Sequence, residues 1–183
     1  MTGRGDITAE AARIDALYRE RAAAELAAAD RFVKGADAVL RSGDAPADVL
    51  LIKGMSGPED VSAKRALAGP DGDAIGKALD ALELPPSRCA VCSRVGRAQA
   101  AACVRRLRLI VEAVDPRVVI ALDPQAAADL AAAFGIEPLE PGCVTRVLGR
   151  DVLATDDFAG SLGDDSAKRR VWDQLRALRT APA

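Results

Sequence analysis

Short, uninterrupted apolar runs recur between stretches of helical period, and this alternation constrains the fold more than any other feature of the chain. Val49-Leu50-Leu51-Ile52 and Val118-Val119-Ile120-Ala121-Leu122 show no polar alternation, as expected of strands buried on both faces. Residues 89–95 and 152–155 read as two further strands. Helical spacing appears over residues 8–29, with Ile14, Leu17 and Tyr18 at i, i+3 and i+4, and over 71–82, with Ile75, Ala78, Leu79 and Leu82 on one face. Residues 99–114 gather Cys103, Leu107, Ile110, Val111 and Val114 on one stripe, and 124–134 and 166–178 complete the set. Arg41-Ser42-Gly43-Asp44-Ala45-Pro46 reads as a turn. Strands alternating with helices predict an α/β domain of three layers, α/β/α, around a mainly parallel sheet.

A chain of 183 residues that is 50% hydrophobic builds one such domain without disulfide or metal staples. Residues 1–183 are read as a single unit, with 1–40 as an N-terminal helical segment. No apolar run reaches the roughly 18 residues that a membrane span needs. The opening residues also lack the apolar core of a secretory signal, so the expected compartment is cytoplasmic and no membrane partner is expected.

The chain contains no histidine, which removes the commonest general acid–base and the imidazole metal ligand. Its formal charge of −2 gives no global attraction to nucleic acid, so any DNA contact has to be local. Cys89, Cys92, Cys103 and Cys143 are too few for a secreted disulfide framework. Cys89 and Cys92, three apart on a strand, point to opposite faces and cannot chelate one metal. The cysteines are therefore read as buried structural thiols, and no metal or other cofactor is expected.

In an open parallel sheet ligands bind beyond the carboxyl ends of the strands. The loops after Ile52, Val95, Leu122 and Thr155 are accordingly the places to seek function. Several of them carry recognisable pieces. Leu50-Leu51-Ile52-Lys53-Gly54-Met55-Ser56-Gly57-Pro58-Glu59-Asp60 joins a strand to a glycine-containing loop followed by acid. Gly69-Pro70-Asp71-Gly72 forms a G-x-x-G turn before a helix, Pro116-Arg117 precedes the 118–122 strand, and Ala167-Lys168-Arg169-Arg170-Val171-Trp172 opens the last helix.

In this order, over residues 48–178, the chain resembles uracil-DNA glycosylases, in particular the branch that carries an iron–sulfur cluster. The resemblance implies a base pocket around Gly54, Met55, Ser56, Gly57, Leu67 and Ser93, and a DNA-contacting segment at Ser161, Leu162, Lys168, Arg169 and Arg170. It also shows replacements. Gly54 stands where the family has an acidic or polar residue that positions water, and Leu67 where an aromatic ring stacks on the flipped base. Ser93 stands at or near a base-reading asparagine, and Asp157 at a histidine that stabilises the departing anion. Loss of stacking costs roughly 1–3 kcal/mol per base. A carboxylate beside developing negative charge is worse than a missing donor, itself worth about 10² to 10³ in rate. Only Cys103 falls at a cluster-cysteine position.

The resemblance thus implies a relative of base-excision repair enzymes that has lost their chemistry and binds DNA weakly, or a DNA-repair protein, as an accessory. Two alternatives stand beside it: a divergent glycosylase in which Asp156 or Asp157 activates water, and a protein-interaction scaffold that uses the Ala-rich N-terminal helix. The basic clusters Arg105, Arg106, Arg108 and Lys168, Arg169, Arg170 read as solvated helix faces, the second being the sharper DNA candidate. Leu162 is placed as a wedge for a flipped-base gap. Asp156, Asp157, Asp164 and Asp165 are expected around the pocket rim.

Overall fold

The structure is a computed structural model that describes residues 3–33 and 41–180. Helix α1 (Gly3–Asp30) runs into a short 3-10 turn, Arg31–Val33. Then follow β1 (Arg41–Gly43), β2 (Val49–Lys53), α2 (Pro58–Ala63), α3 (Pro70–Ala81), β3 (Arg88–Cys92), α4 (Ala100–Val114) and β4 (Val118–Ala121). The chain ends with α5 (Pro124–Phe134), β5 (Val144–Val147), β6 (Arg150–Ala154), α6 (Phe158–Ser161) and α7 (Asp165–Thr180). The N-terminal residues 1–2 and residues 34–40 of the expected helical segment lie outside the described part.

The six strands form one sheet in the order β1-β3-β2-β4-β6-β5. The inner four are mutually parallel, and β1 and β5 add antiparallel edges. The sheet is therefore mixed, and both edge strands depart from the sequence expectation, which is a turn at 41–43 and no strand at 144–147. Gly43 explains the first, because a Cβ there would lie 2.0 Å from the Arg88 carbonyl oxygen. Only glycine lets β1 approach β3 so closely.

Strand alternation sorts the core into two faces. Leu50, Ile52, Val91, Val119, Ala121 and Val152 pack on one side with Leu26 and Ala29 of α1, Leu107, Ile110 and Val111 of α4, and Leu130 of α5. Val49, Leu51, Ala90, Ile120 and Leu153 pack on the other with Ile75 and Leu79 of α3, Phe158 of α6, and Val171 and Leu175 of α7. Helices on both faces are compatible with the three expected layers.

Helix α5 shows how local chemistry sets limits. Asp123 caps its start by accepting from the Ala126 N–H, Pro124 occupies the first turn, and Gly135 closes it with φ +62°. In α1 the buried apolar residues that meet the body are Ala22, Leu26 and Ala29, with Val33 just beyond, and Asp30 pairs with Arg106 and Arg41, whereas Ile14, Leu17 and Tyr18 face solvent. Among the described residues no helix is long and apolar enough to cross a membrane.

Candidate functional site

The chain leaves β2 for β3 on one side and later crosses from β3 to β4 on the other. The loops after β2 and β4 therefore part around a switch point at the carboxyl end of the sheet, where crevices form in such folds. Here the two loops are tied together. Asp123 accepts from the Gly54 N–H at 2.6 Å through one oxygen and from the Ala126 N–H at 2.8 Å through the other. A Cβ on Gly54 would lie 2.5 Å from Asp123 Oδ1 and 2.8 Å from Gln125 Cβ. The space that a side chain at position 54 would fill is thus held by a carboxylate from the β4–α5 loop.

Lys53, the last residue of β2, donates to Asp60 at 2.8 Å and to Asp71 at 2.6 Å. Asp60 also accepts from the Gly57 N–H at 2.7 Å and the Ala68 N–H at 2.8 Å. Burial pushes the Asp60 carboxyl up, but the hydrogen bonds from Lys53, Ala68 and Gly57 and the Lys53 charge outweigh it and hold it below the usual carboxylate range. Burial likewise pulls Lys53 down, and its bonds to Asp60 and Asp71 and their charges more than reverse this, leaving it raised. This cluster fastens the start of α2 and the turn before α3 to the sheet.

A third cluster fixes the loop after β3. Asp129 of α5, buried, accepts from Ser93 Oγ at 2.7 Å, Arg94 Nε at 2.8 Å and Gln125 Nε2 at 3.0 Å. Ser93 Oγ also approaches the Gly54 carbonyl at 3.3 Å, and the Arg94 N–H reaches the same carbonyl at 2.9 Å. The hydrogen bond to Asp129, more than its charge, raises the Arg94 guanidinium above its ordinary value.

The structure distributes the predicted site residues unevenly. Gly54 and Ser93 do meet at the carboxyl end, Gly57 is tied to Asp60 on the same loop, and Met55 is exposed and Ser56 partly exposed between them. The Ser93 hydroxyl is committed to Asp129 and is fully buried, so it does not face a crevice. Leu67 adopts φ +54° and packs against the α3 side of the core, with its carbonyl oxygen 2.0 Å from where a Cβ on Gly72 would be.

Asp157 lies in the loop after β6, at the carboxyl end of the sheet. It is exposed, and it caps α6 by accepting from the Gly160 N–H at 3.0 Å, the role that a short side-chain acceptor before a helix ordinarily takes. Asp156 bonds Arg170 Nε at 3.0 Å, and its N–H reaches Gln174. Hydrogen bonds from the Ser166 hydroxyl, the Ser166 N–H and the Ala167 N–H hold Asp164 below its ordinary range.

Ser161 is buried and donates to the Phe158 carbonyl at 2.7 Å, so its hydroxyl is unavailable to DNA. Leu162 is partly buried on the Phe158 and Val171 side of the core and does not project as a wedge. Lys168, Arg169 and Arg170 do lie exposed on α7, with Lys168 3.4 Å from Asp165 and Arg170 on Asp156.

Of the other basic cluster Arg105 is exposed. Arg108 stacks 4.3 Å from the Phe134 ring centroid and pairs with Glu112. Arg106 is fully buried, donating to Asp30 at 3.0 Å and to the Cys92 carbonyl at 2.9 Å. Cys103, Arg106 and Ile110 stand at i, i+3 and i+7, so helical spacing already put Arg106 on the core stripe. Burial lowers its guanidinium despite Asp30.

Cys89 and Cys92 point to opposite faces of β3, and burial pushes their thiols to about 11 and about 12. Cys103 is buried too, but Cys143 is exposed in the turn before β5, contrary to expectation. Among the described residues no three His, Cys, Asp or Glu side chains converge as a metal ion requires.

Sequence reasoning missed Asp60, Asp71, Asp123 and Asp129. Their carboxylates are the polar chemistry at the carboxyl end of the sheet, and all of them accept hydrogen bonds from within the chain. The result is a set of latched loops. A cavity of about 520 Å³ opens instead at the amino end, lined by Asp15, Tyr18, Arg19, Asp48, Ser87 and Asp115. No protein-family model and no curated protein matches the chain.

Proposed function

We propose that this chain has a uracil-DNA glycosylase-like fold without base-excision chemistry and acts as a DNA- or protein-binding accessory. The reading rests on one observation above others: the polar groups at the positions that would place water and base are consumed by contacts inside the protein. Asp123 fills the space beside Gly54, Asp129 holds Ser93, and Asp157 caps a helix.

Outward-facing around this end are Met55, part of Ser56, Glu59, Arg97, Asp157 and the α7 cations. With Lys168 and Arg170 partly neutralised by Asp165 and Asp156, a phosphate backbone meets few uncompensated charges. DNA binding is therefore expected to be weak and strongly salt-sensitive, with a slope of log K against log salt no steeper than about −3. Titration of fluorescent single- and double-stranded DNA at low and moderate salt checks this, and Arg169→Glu is expected to weaken whatever binding is seen. Submicromolar affinity that persists at moderate salt contradicts the expectation and points to a base-specific pocket.

A further inference from the structure

Helix α1 is 28 residues long, yet only its carboxyl-terminal turns are fastened to the body, through Ala22, Leu26, Ala29 and the Asp30–Arg106 ion pair. Earlier along it Ile7, Ile14 and Leu17 are 72%, 44% and 57% exposed. These three stand at i, i+7 and i+10, the spacing of a coiled-coil seam. The seam lies about a quarter to a third of a turn around from the buried stripe, at 3.6 residues per turn, so it is free of the body. Among the described residues Glu10, Arg13 and Glu20 form no ion pair within the chain, and Arg21 is held only by its exposed neighbour Glu25.

We propose that α1 pairs antiparallel with α1 of a second copy of this chain, about a two-fold axis between Asp15 and Ala16. In that register Ile14 packs on Leu17 of the second copy and Leu17 on its Ile14, while Ile7 meets the small Ala24. Charge then decides orientation. Glu10 faces Arg21 and Arg13 flanks Glu20, and the two-fold axis makes each pair twice. A parallel, in-register pairing sets Glu10 against Glu10 and Arg21 against Arg21, which is repulsive in the seam. Charge complementarity thus selects a second copy, arranged antiparallel. This inference stands apart from the nucleic-acid reading and survives or fails without it.

Sedimentation equilibrium on the full chain tests it. The wild type is expected to show a concentration-dependent monomer–dimer equilibrium. Ile14→Glu or Leu17→Glu is expected to raise the dissociation constant by about 30-fold or more, as for loss of a central apolar anchor. Glu10→Arg alone is expected to weaken the dimer, and Glu10→Arg combined with Arg21→Glu to restore it. Circular dichroism on each variant, with unchanged helix content, shows that the body is intact. A wild type that stays monomeric at high concentration, a dimer indifferent to Ile14→Glu, or failure of the double charge exchange to rescue overturns the proposal.

Discussion

Lys53→Met is expected to destabilise the protein by about 3–5 kcal/mol, the usual cost of stranding a buried charge by deleting its partner. Lys53 shows 15% of its side-chain surface to solvent, Asp60 1% and Asp71 10%. The substitution keeps the aliphatic stem and removes the ammonium, leaving two carboxylates near each other with water largely excluded. Urea denaturation measures the loss, which corresponds to a melting temperature lower by roughly 10 °C in a domain of this size. Adding Asp60→Asn to Lys53→Met is expected to recover much of it, because a neutral set strands less charge. A change below about 1 kcal/mol would place the cluster with ordinary surface pairs.

The same cluster sets a pH window. Asp60 is held below its ordinary value, so its contribution is complete above the unfolded carboxyl value near 4 and drains as pH falls through the lower folded value. Lys53 is raised, so its contribution is complete below about 10.4 and is lost as pH rises through the higher folded value. Wild-type stability is therefore expected to fall at both extremes, and Lys53→Met to flatten both limbs.

Asp129→Ala is expected to cost about 2–4 kcal/mol. One buried carboxylate here serves Ser93, Arg94 and Gln125. Its removal leaves the enclosed Ser93 hydroxyl with only the 3.3 Å approach to the Gly54 carbonyl. Arg94 recovers some water, since a quarter of its side chain is exposed, and that keeps the loss below the largest values for buried pairs. Asp129→Asn retains two acceptor lone pairs and is expected to cost less. Amide hydrogen exchange gives an independent reading: the N–H groups of Ser93 and Arg94, now bonded to the Lys53 and Gly54 carbonyls, are expected to exchange faster in Asp129→Ala. Unchanged exchange there would mean that Asp129 does not hold the loop.

The parallel core was legible because each of its strands is a buried apolar run, and α5 was legible to its limits because Asp123, Pro124 and Gly135 punctuate it. The edges were not. Strand β1 spans three residues ending in an exposed glycine, and Thr145 and Arg146 of β5 face solvent, so neither offers a run or an alternation to read. The latching carboxylates were hidden for a different reason. An aspartate in a loop or helix reads as solvated, and Asp71, Asp129 and Asp123 are buried or bonded only because the topology brings them to partners 18, 36 and 69 residues away. The helix-capping role of Asp157 was legible locally, from an aspartate standing three residues before Gly160 at the start of a short helix.

In the proposed function, base excision has been lost. Incubating the purified full chain with uracil-containing single-stranded DNA and measuring free uracil is expected to give no release above a protein-free control. Asp157→His is expected to restore none, since Asp123 still fills the space beside Gly54 and Asp129 still holds Ser93. Robust release by the wild type, abolished in Asp157→Asn, would contradict the claim and make that exposed aspartate the catalytic residue.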